Sequence, residues 1–181
     1  MNAHFDWSAS GNAILLAKPG PVEKGGGIVE FNLETGAERY VYRPKKEFVS
    51  VIRWLDSSRD NKRLAFLQIN SSASALELIV VNLETGESHT AAPDFGYFSW
   101  SPDGRKIIGD RADRPKGSKQ SLFIVPEAGG PVKEIDLGKR LPPRSEIRTP
   151  DWSPDGKKII FTLRSSISEV SLLRNVIPPD K

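Results

Sequence analysis

Trp100-Ser101-Pro102-Asp103-Gly104 and Trp152-Ser153-Pro154-Asp155-Gly156 are two copies of one pentapeptide. Each is followed by basic residues and a β-branched run, Arg105-Lys106-Ile107-Ile108 and Lys157-Lys158-Ile159-Ile160-Phe161. Proline holds φ near the value needed at the second position of a type I turn, Asp bonds its own backbone, and Gly accepts the left-handed exit. The pentapeptide therefore predicts a tight hairpin between two antiparallel strands, with a Trp at the end of the first.

Working outward, the unit recurs in weaker form. Trp7-Ser8-Ala9-Ser10-Gly11 keeps the Trp, the Ser and the turn Gly, and Trp7 stands seven residues before Ile14, as Trp100 does before Ile107 and Trp152 before Ile159. The remaining copy is assigned to Trp54, ten residues before Leu64, with the turn enlarged by three residues over Leu55-Asp56-Ser57-Ser58-Arg59-Asp60-Asn61. On this reading the first two turns lack the Pro-Asp pair. A second marker, Asn32-Leu33-Glu34-Thr35-Gly36, returns as Asn82-Leu83-Glu84-Thr85-Gly86, and Pro126-Glu127-Ala128-Gly129-Gly130 takes its place in the third copy. Trp-to-Trp spacings of 47, 46 and 52 residues fall in or slightly above the range of four-stranded β-propeller blades.

Period-two alternation and turn chemistry predict strands at 3–8, 12–18, 27–33 and 37–43, then 48–55, 62–69, 76–82 and 87–92. They continue at 96–101, 105–110, 120–126 and 131–137, and at 147–153, 157–164 and 169–175, before Pro178-Pro179 ends the pattern. No segment of convincing length shows helical spacing. The expected fold is all-β: a β-propeller of four-stranded antiparallel blades, about four blades, forming one partial domain over 1–181 with blades near 1–46, 47–94, 95–143 and 144–181. The last blade is short of its fourth strand. An array of this kind leaves sheet faces uncovered at its ends, so it is expected to be an open fragment of a six- or seven-bladed ring, or to self-associate and complete one.

With no cysteine in 181 residues, disulfide and thiolate chemistry are excluded. Met1-Asn2-Ala3-His4-Phe5-Asp6 has neither the basic nor the apolar region of an export signal, and no apolar run reaches the length of a membrane span. A soluble chain is expected. His4 and His89, the two histidines, stand in different repeats, and Asp103 and Asp155 each come without further carboxylates at calcium-loop spacing, so no metal site is expected. There is no Gly-x-Ser-x-Gly string, and Gly25-Gly26-Gly27 lacks the Lys-Ser/Thr of a phosphate loop. The reading is of a chain with no catalytic residues and no cofactor. Trp7, Trp54, Trp100 and Trp152 are expected to be packing anchors between blades, and Pro102, Asp103, Gly104, Pro154, Asp155 and Gly156 to be turn residues.

Topology sorts the charges. In a four-stranded meander the turns between strands one and two and between three and four share one end of the sheet, and the longer connections share the other. Fourteen basic residues fall on the long connections against six acidic ones, although the whole chain carries only +3. Function on such a scaffold belongs to the variable loops, and here those are the positive ones. Lys45, Lys46, Arg111, Arg114, Lys116, Lys139, Arg140 and Arg144 are the candidate partner-binding residues, with a protein of acidic surface as the expected partner. Nucleic acid is not the expected ligand, because aromatic residues are not interleaved with these charges as stacking platforms require.

The segment Pro150 to Phe161, its near repeat from Phe98 to Ile108 and the Asn-Leu-Glu-Thr-Gly turns together resemble the repeat of TolB-type β-propellers, and the resemblance covers essentially the whole chain. It implies a blade, and it implies several functions: the periplasmic TolB protein, the propeller that gates prolyl-oligopeptidase-like enzymes, and sensor regions attached to bacterial regulators and kinases. The expectation carried forward is a non-catalytic scaffold that is periplasmic if the full-length protein is TolB-like and bears a signal peptide, otherwise cytoplasmic. The alternative is the gating or sensory propeller of a larger peptidase or signalling regulator.

Overall fold

The computed structural model describes residues 5–8, 10–18, 20, 24–45, 48–70, 75–112, 121–137, 141, 145–164 and 169–174, with the side chains of 48–52 and 169–174 left aside. Fifteen strands follow in order: β1 (Phe5–Trp7), β2 (Ala13–Lys18), β3 (Gly27–Asn32), β4 (Glu38–Tyr42), β5 (Phe48–Ser57), β6 (Arg63–Asn70), β7 (Ala75–Asn82), β8 (Ser88–Pro93), β9 (Phe95–Trp100), β10 (Lys106–Arg111), β11 (Ser121–Pro126), β12 (Lys133–Asp136), β13 (Glu146–Trp152), β14 (Lys158–Arg164) and β15 (Glu169–Arg174). Each expected strand is present, with ends within two residues of those read from the sequence. Residues 3, 4, 120 and 175 of the expected spans lie outside the described residues. The strands form three four-stranded antiparallel meanders, β1 to β4, β5 to β8 and β9 to β12, and one three-stranded meander, β13 to β15.

The first tight turn is built the same way in every sheet. Ser101 N–H donates to the Lys106 carbonyl at 2.8 Å and Gly104 N–H to the Ser101 carbonyl at 2.9 Å, with Gly104 at φ 67°. The same pair of bonds closes Ser153 to Lys158, Ser8 to Ala13 and Ser58 to Arg63. Gly is favoured at the exit because a residue without Cβ takes that left-handed φ at no steric cost. The last of these turns corrects the sequence reading. The turn of the second sheet is not enlarged: it is Ser58-Arg59-Asp60-Asn61, with Asn61 at φ 54° in the place of Gly104 and Asp60 in the place of Asp103. The register agrees, since Trp7 pairs with Ile14, Trp100 with Ile107 and Trp152 with Ile159, whereas the partner of Leu64 is Ser57. Ser57 thus occupies the Trp place. Trp54 lies in an irregular stretch of β5, at φ 53° within the register shift between Arg53 and Leu55. The three extra residues are absorbed by bulging of the strand, which re-aims side chains without lengthening the turn.

The second tight turn is tied to the first. Asn32 Oδ1 accepts the N–H groups of Glu34 and Thr35 at 3.0 and 2.9 Å, and Leu33 N–H donates to the Asn12 carbonyl at 2.8 Å. Asn82 repeats this with Glu84 and Thr85, and Leu83 N–H donates to the Lys62 carbonyl. In the third sheet Glu127 N–H reaches the Arg105 carbonyl. Both tight turns of a sheet therefore sit at one end, and the longer connections at the other.

The chain divides into two compact units, 1–94 and 95–181. In the first, Leu15, Ala17, Ile28, Val41 and Tyr42 of one sheet pack on Leu64, Phe66, Ile79 and Val81 of the next. The rings of Tyr42 and Phe66 are 4.7 Å apart at 57°, and the Tyr42 hydroxyl donates to Gln68 Oε1 at 2.6 Å. In the second, Ile108, Leu122, Ile124 and Ile135 pack on Ile147, Trp152, Ile159, Phe161 and Leu163. Burial of two facing β-surfaces is the main stabilising term in each unit. Trp152 and Trp100 are 8% and 7% exposed, but Trp7 departs from the anchoring role expected for it: it is 60% exposed.

Candidate functional site

The two ends of the sheets use their polar groups differently. At the tight-turn end the Asp carboxylates of the first turns bond within those turns, while Glu34 and Glu84 of the second turns are exposed. Asp103 Oδ1 lies 2.6 Å from Ser101 Oγ and accepts the Arg105 N–H at 3.0 Å. Ser101 Oγ in turn accepts the Lys106 N–H at 2.9 Å. Asp155 with Ser153 and Lys157, and Asp60 with Ser58 and Lys62, reproduce the arrangement. All three carboxyls are held below the usual carboxylate range. For Asp103 burial pushes the other way, and the Ser101 hydroxyl and the Arg105 N–H outweigh it. For Asp60 and Asp155 the serine hydroxyl is the leading cause. Pro102, Gly104, Pro154 and Gly156 complete these turns. Glu30 is likewise lowered, by the Ser8 hydroxyl and then by Arg39.

At the long-connection end, cations lie on aromatic rings. In the first unit Tyr40, the middle residue of β4, donates its hydroxyl to the Gly25 carbonyl at 3.0 Å, and the guanidinium of Arg43, just beyond the strand, lies 3.7 Å from the ring centroid. Arg43, Lys24 and Lys45 are exposed. In the second unit Arg111, the last residue of β10, lies 4.8 Å over Phe123. There, too, Arg148 donates to the Tyr97 hydroxyl at 2.8 Å and to Glu146 at 2.7 Å, lying 5.0 Å over the Tyr97 ring. Its pKa is raised, first by Glu146. Such contacts contribute about 0.5–1 kcal/mol each at exposed sites and fix the direction of an otherwise freely rotating cation.

Of the candidate binding residues, Lys45 and Arg111 are described, one in each unit. Lys46, Arg114, Lys116, Lys139, Arg140 and Arg144 lie outside the described residues. Sequence reasoning passed over the Tyr40–Arg43 and Tyr97–Arg148 pairs. The first had a local signal, an aromatic and an arginine three residues apart at a strand end; the second joins residues from two sheets and had none. Each of the three rings, Tyr40, Phe123 and Tyr97, has one face occupied by a guanidinium, one pair in the first unit and two in the second.

Among the described residues no group of three or more His, Cys, Asp or Glu is gathered to hold a metal ion, and no helix is long and apolar enough to cross a membrane. No protein-family model and no curated protein matches the sequence. Solved structures do. The oligogalacturonate lyase of Vibrio parahaemolyticus superposes with a TM-score of 0.69 at 18% identity, over 90% of this chain and 46% of its own. A protein assigned as TolB from Agrobacterium tumefaciens gives 0.70 at 17% identity, over 96% of this chain and 62% of its own. The β-propeller domain of the Trilobed protease from Pyrococcus furiosus gives 0.59 at 21%, over 94% and 53%. The chain spans about half the length of these proteins. Its four antiparallel sheets are blades, and its fold is that of the β-propeller, similar to TolB-type propellers.

Proposed function

We propose that this chain is a non-catalytic, TolB-like propeller segment that serves as a protein-interaction scaffold, binding a partner with an acidic surface through the long-connection ends of its blades. The observation that carries this reading is the contrast between the two ends: Asp60, Asp103 and Asp155 bonded to turn serines at one, and exposed Lys45 close to exposed Arg43, whose guanidinium lies on the Tyr40 ring, at the other. Electrostatic complementarity of this kind sets association rate and selectivity more than affinity. Replacing Arg43 and Lys45 by Glu is expected to weaken binding to polyglutamate and flatten its dependence on ionic strength, with the circular dichroism spectrum unchanged. Equal binding by the double variant at low salt rejects the reading. A periplasmic location accompanies it if the full-length protein carries a signal peptide.

A second reading is favoured by the likeness to the Trilobed protease propeller, which covers 94% of this chain: the gating or sensory propeller of a larger peptidase or signalling regulator. The encoding gene, read beyond both ends of this segment, separates the two. A Gly-x-Ser-x-Gly hydrolase domain or a kinase or DNA-binding domain selects the second reading, and a signal peptide without either selects the first.

A further inference from the structure

The seam between neighbouring sheets is closed by different chemistry in the two units. In the first, Asp6 stands one residue before Trp7 on β1 and shares a face with its cross-strand partner Leu15, which belongs to the cluster buried between the sheets. Its carboxylate spans the seam. Oδ1 accepts the N–H of Trp7, and Oδ2 accepts the N–H of Ser57 on β5 at 2.8 Å. Ser57, the partner of Leu64, holds the Trp place of the second sheet. The residue before the Trp place in one sheet therefore meets the residue at the Trp place in the next, and a hydrogen bond joins them.

The same two places in the second unit are Ser99 and Trp152. Ser99 pairs with Ile108 and Trp152 with Ile159, both isoleucines lie with Trp152 in one buried cluster, and β13 runs beside β9. Here no protein bond crosses. The Trp152 indole N–H is buried without a hydrogen-bond partner, in a residue 8% exposed, and the Ser99 hydroxyl is buried and unpartnered as well. The backbone N–H of Trp152 is served from its own sheet by Asp151 Oδ1 at 2.8 Å. The unmet polar groups of this seam are thus one indole N–H and one hydroxyl, brought together by register. In the first unit the unpartnered Ser57 Oγ and Gln68 Nε2 stand apart, Gln68 being four residues along β6 from the partner of Ser57. Native interiors rarely leave such groups unbonded, because each keeps its desolvation penalty. Atom for atom, serine Oγ corresponds to aspartate Cγ, so Ser99 and one further oxygen replace the side chain of Asp6. We propose that the seam between β9 and β13 is a binding site for one ordered water, which accepts the Trp152 indole N–H, bonds the Ser99 hydroxyl and bridges the two sheets as Asp6 Oδ2 does in the first unit. Two to four polar partners are what a buried water needs, and such a bridge is enthalpically close to a direct bond. The site is separate from the long-connection ends.

The test combines a high-resolution crystal structure of the full 181-residue chain with hydrogen exchange of the Trp152 indole, whose NMR signal is assigned by its loss in Trp152→Phe. Ordered density is expected at hydrogen-bond distance, about 2.7–3.2 Å, from both Trp152 Nε1 and Ser99 Oγ. In Ser99→Ala the bridge loses one end, and indole exchange is expected to quicken at least about fivefold, the effect of one lost hydrogen bond. Ser99→Asn places an amide oxygen where the water stands, so it is expected to expel the water, bond the indole directly and restore slow exchange. If Ser99→Asn does not fold, the crystal structure and Ser99→Ala still decide. A direct bond between Ser99 Oγ and Trp152 Nε1 overturns the proposal, as does a seam with no density between them. Indole exchange that is unchanged in Ser99→Ala also overturns it, because Ser99 is then no partner of the bridge.

Discussion

The Ser101 hydroxyl serves three groups in its turn. It accepts the Lys106 N–H, lies against Asp103 Oδ1 and stands 2.9 Å from the Lys106 carbonyl, all while 4% exposed. Ser101→Ala leaves a buried N–H without its acceptor and is expected to cost about 1–2 kcal/mol in urea unfolding. The carboxylates of these turns make stability depend on acid in one direction. Asp60, Asp103, Asp155 and Glu30 titrate lower in the folded chain than unfolded. Their contribution is full above the ordinary carboxylate range and is lost as pH falls through the lowered folded values, below about pH 4. Urea midpoints are expected to fall between about pH 6 and pH 3, and to fall less in Asp103→Asn. At Asn61 the backbone holds φ 54°, a conformation Gly adopts at no steric cost. Asn61→Gly is expected to stabilise the protein by about 0.5 kcal/mol.

At the scale of elements, β9 and β10 approach closely where the register shifts between Gly109 and Arg111. A Cβ on Gly109 would stand 2.3 Å from the Phe95 ring and 2.8 Å from the Tyr97 carbonyl, and the second contact is with backbone. Gly109→Ala is therefore expected to destabilise by about 2–3 kcal/mol, read as a lower urea midpoint at unchanged slope. Legibility in the sequence follows the same division between local and distant causes. Strands and tight turns were readable because their chemistry lies within a few residues: Ser, Asp and Gly close a hairpin on their own. Trp54 was misplaced because a Trp is a conspicuous landmark, while the residue in register, Ser57, is not. A bulge moves a landmark along the strand without altering any turn signal. The charge surplus of the long connections is a count along the sequence, whereas the stacking of Arg148 on Tyr97 arises between residues 51 apart and had no trace in spacing.

For the molecule as a whole, the two apolar clusters share no residue, so each unit is expected to open by itself. Phe161 is fully buried in the second cluster. Phe161→Ala is expected to cost about 3–5 kcal/mol there, and native-state hydrogen exchange should lose protection in β9 to β15 while β1 to β8 keep theirs. Equal loss in both units would indicate a single cooperative transition. The placement of the tryptophans supplies an optical label for this separation. Half-buried Trp54 and exposed Trp7 belong to the first unit, and buried Trp100 and Trp152 to the second. Emission from the first is expected to lie to the red and to be open to acrylamide, and emission from the second to lie to the blue and to be shielded. A single native chain thus reports, at two wavelengths and without any attached dye, which of its halves has begun to unfold.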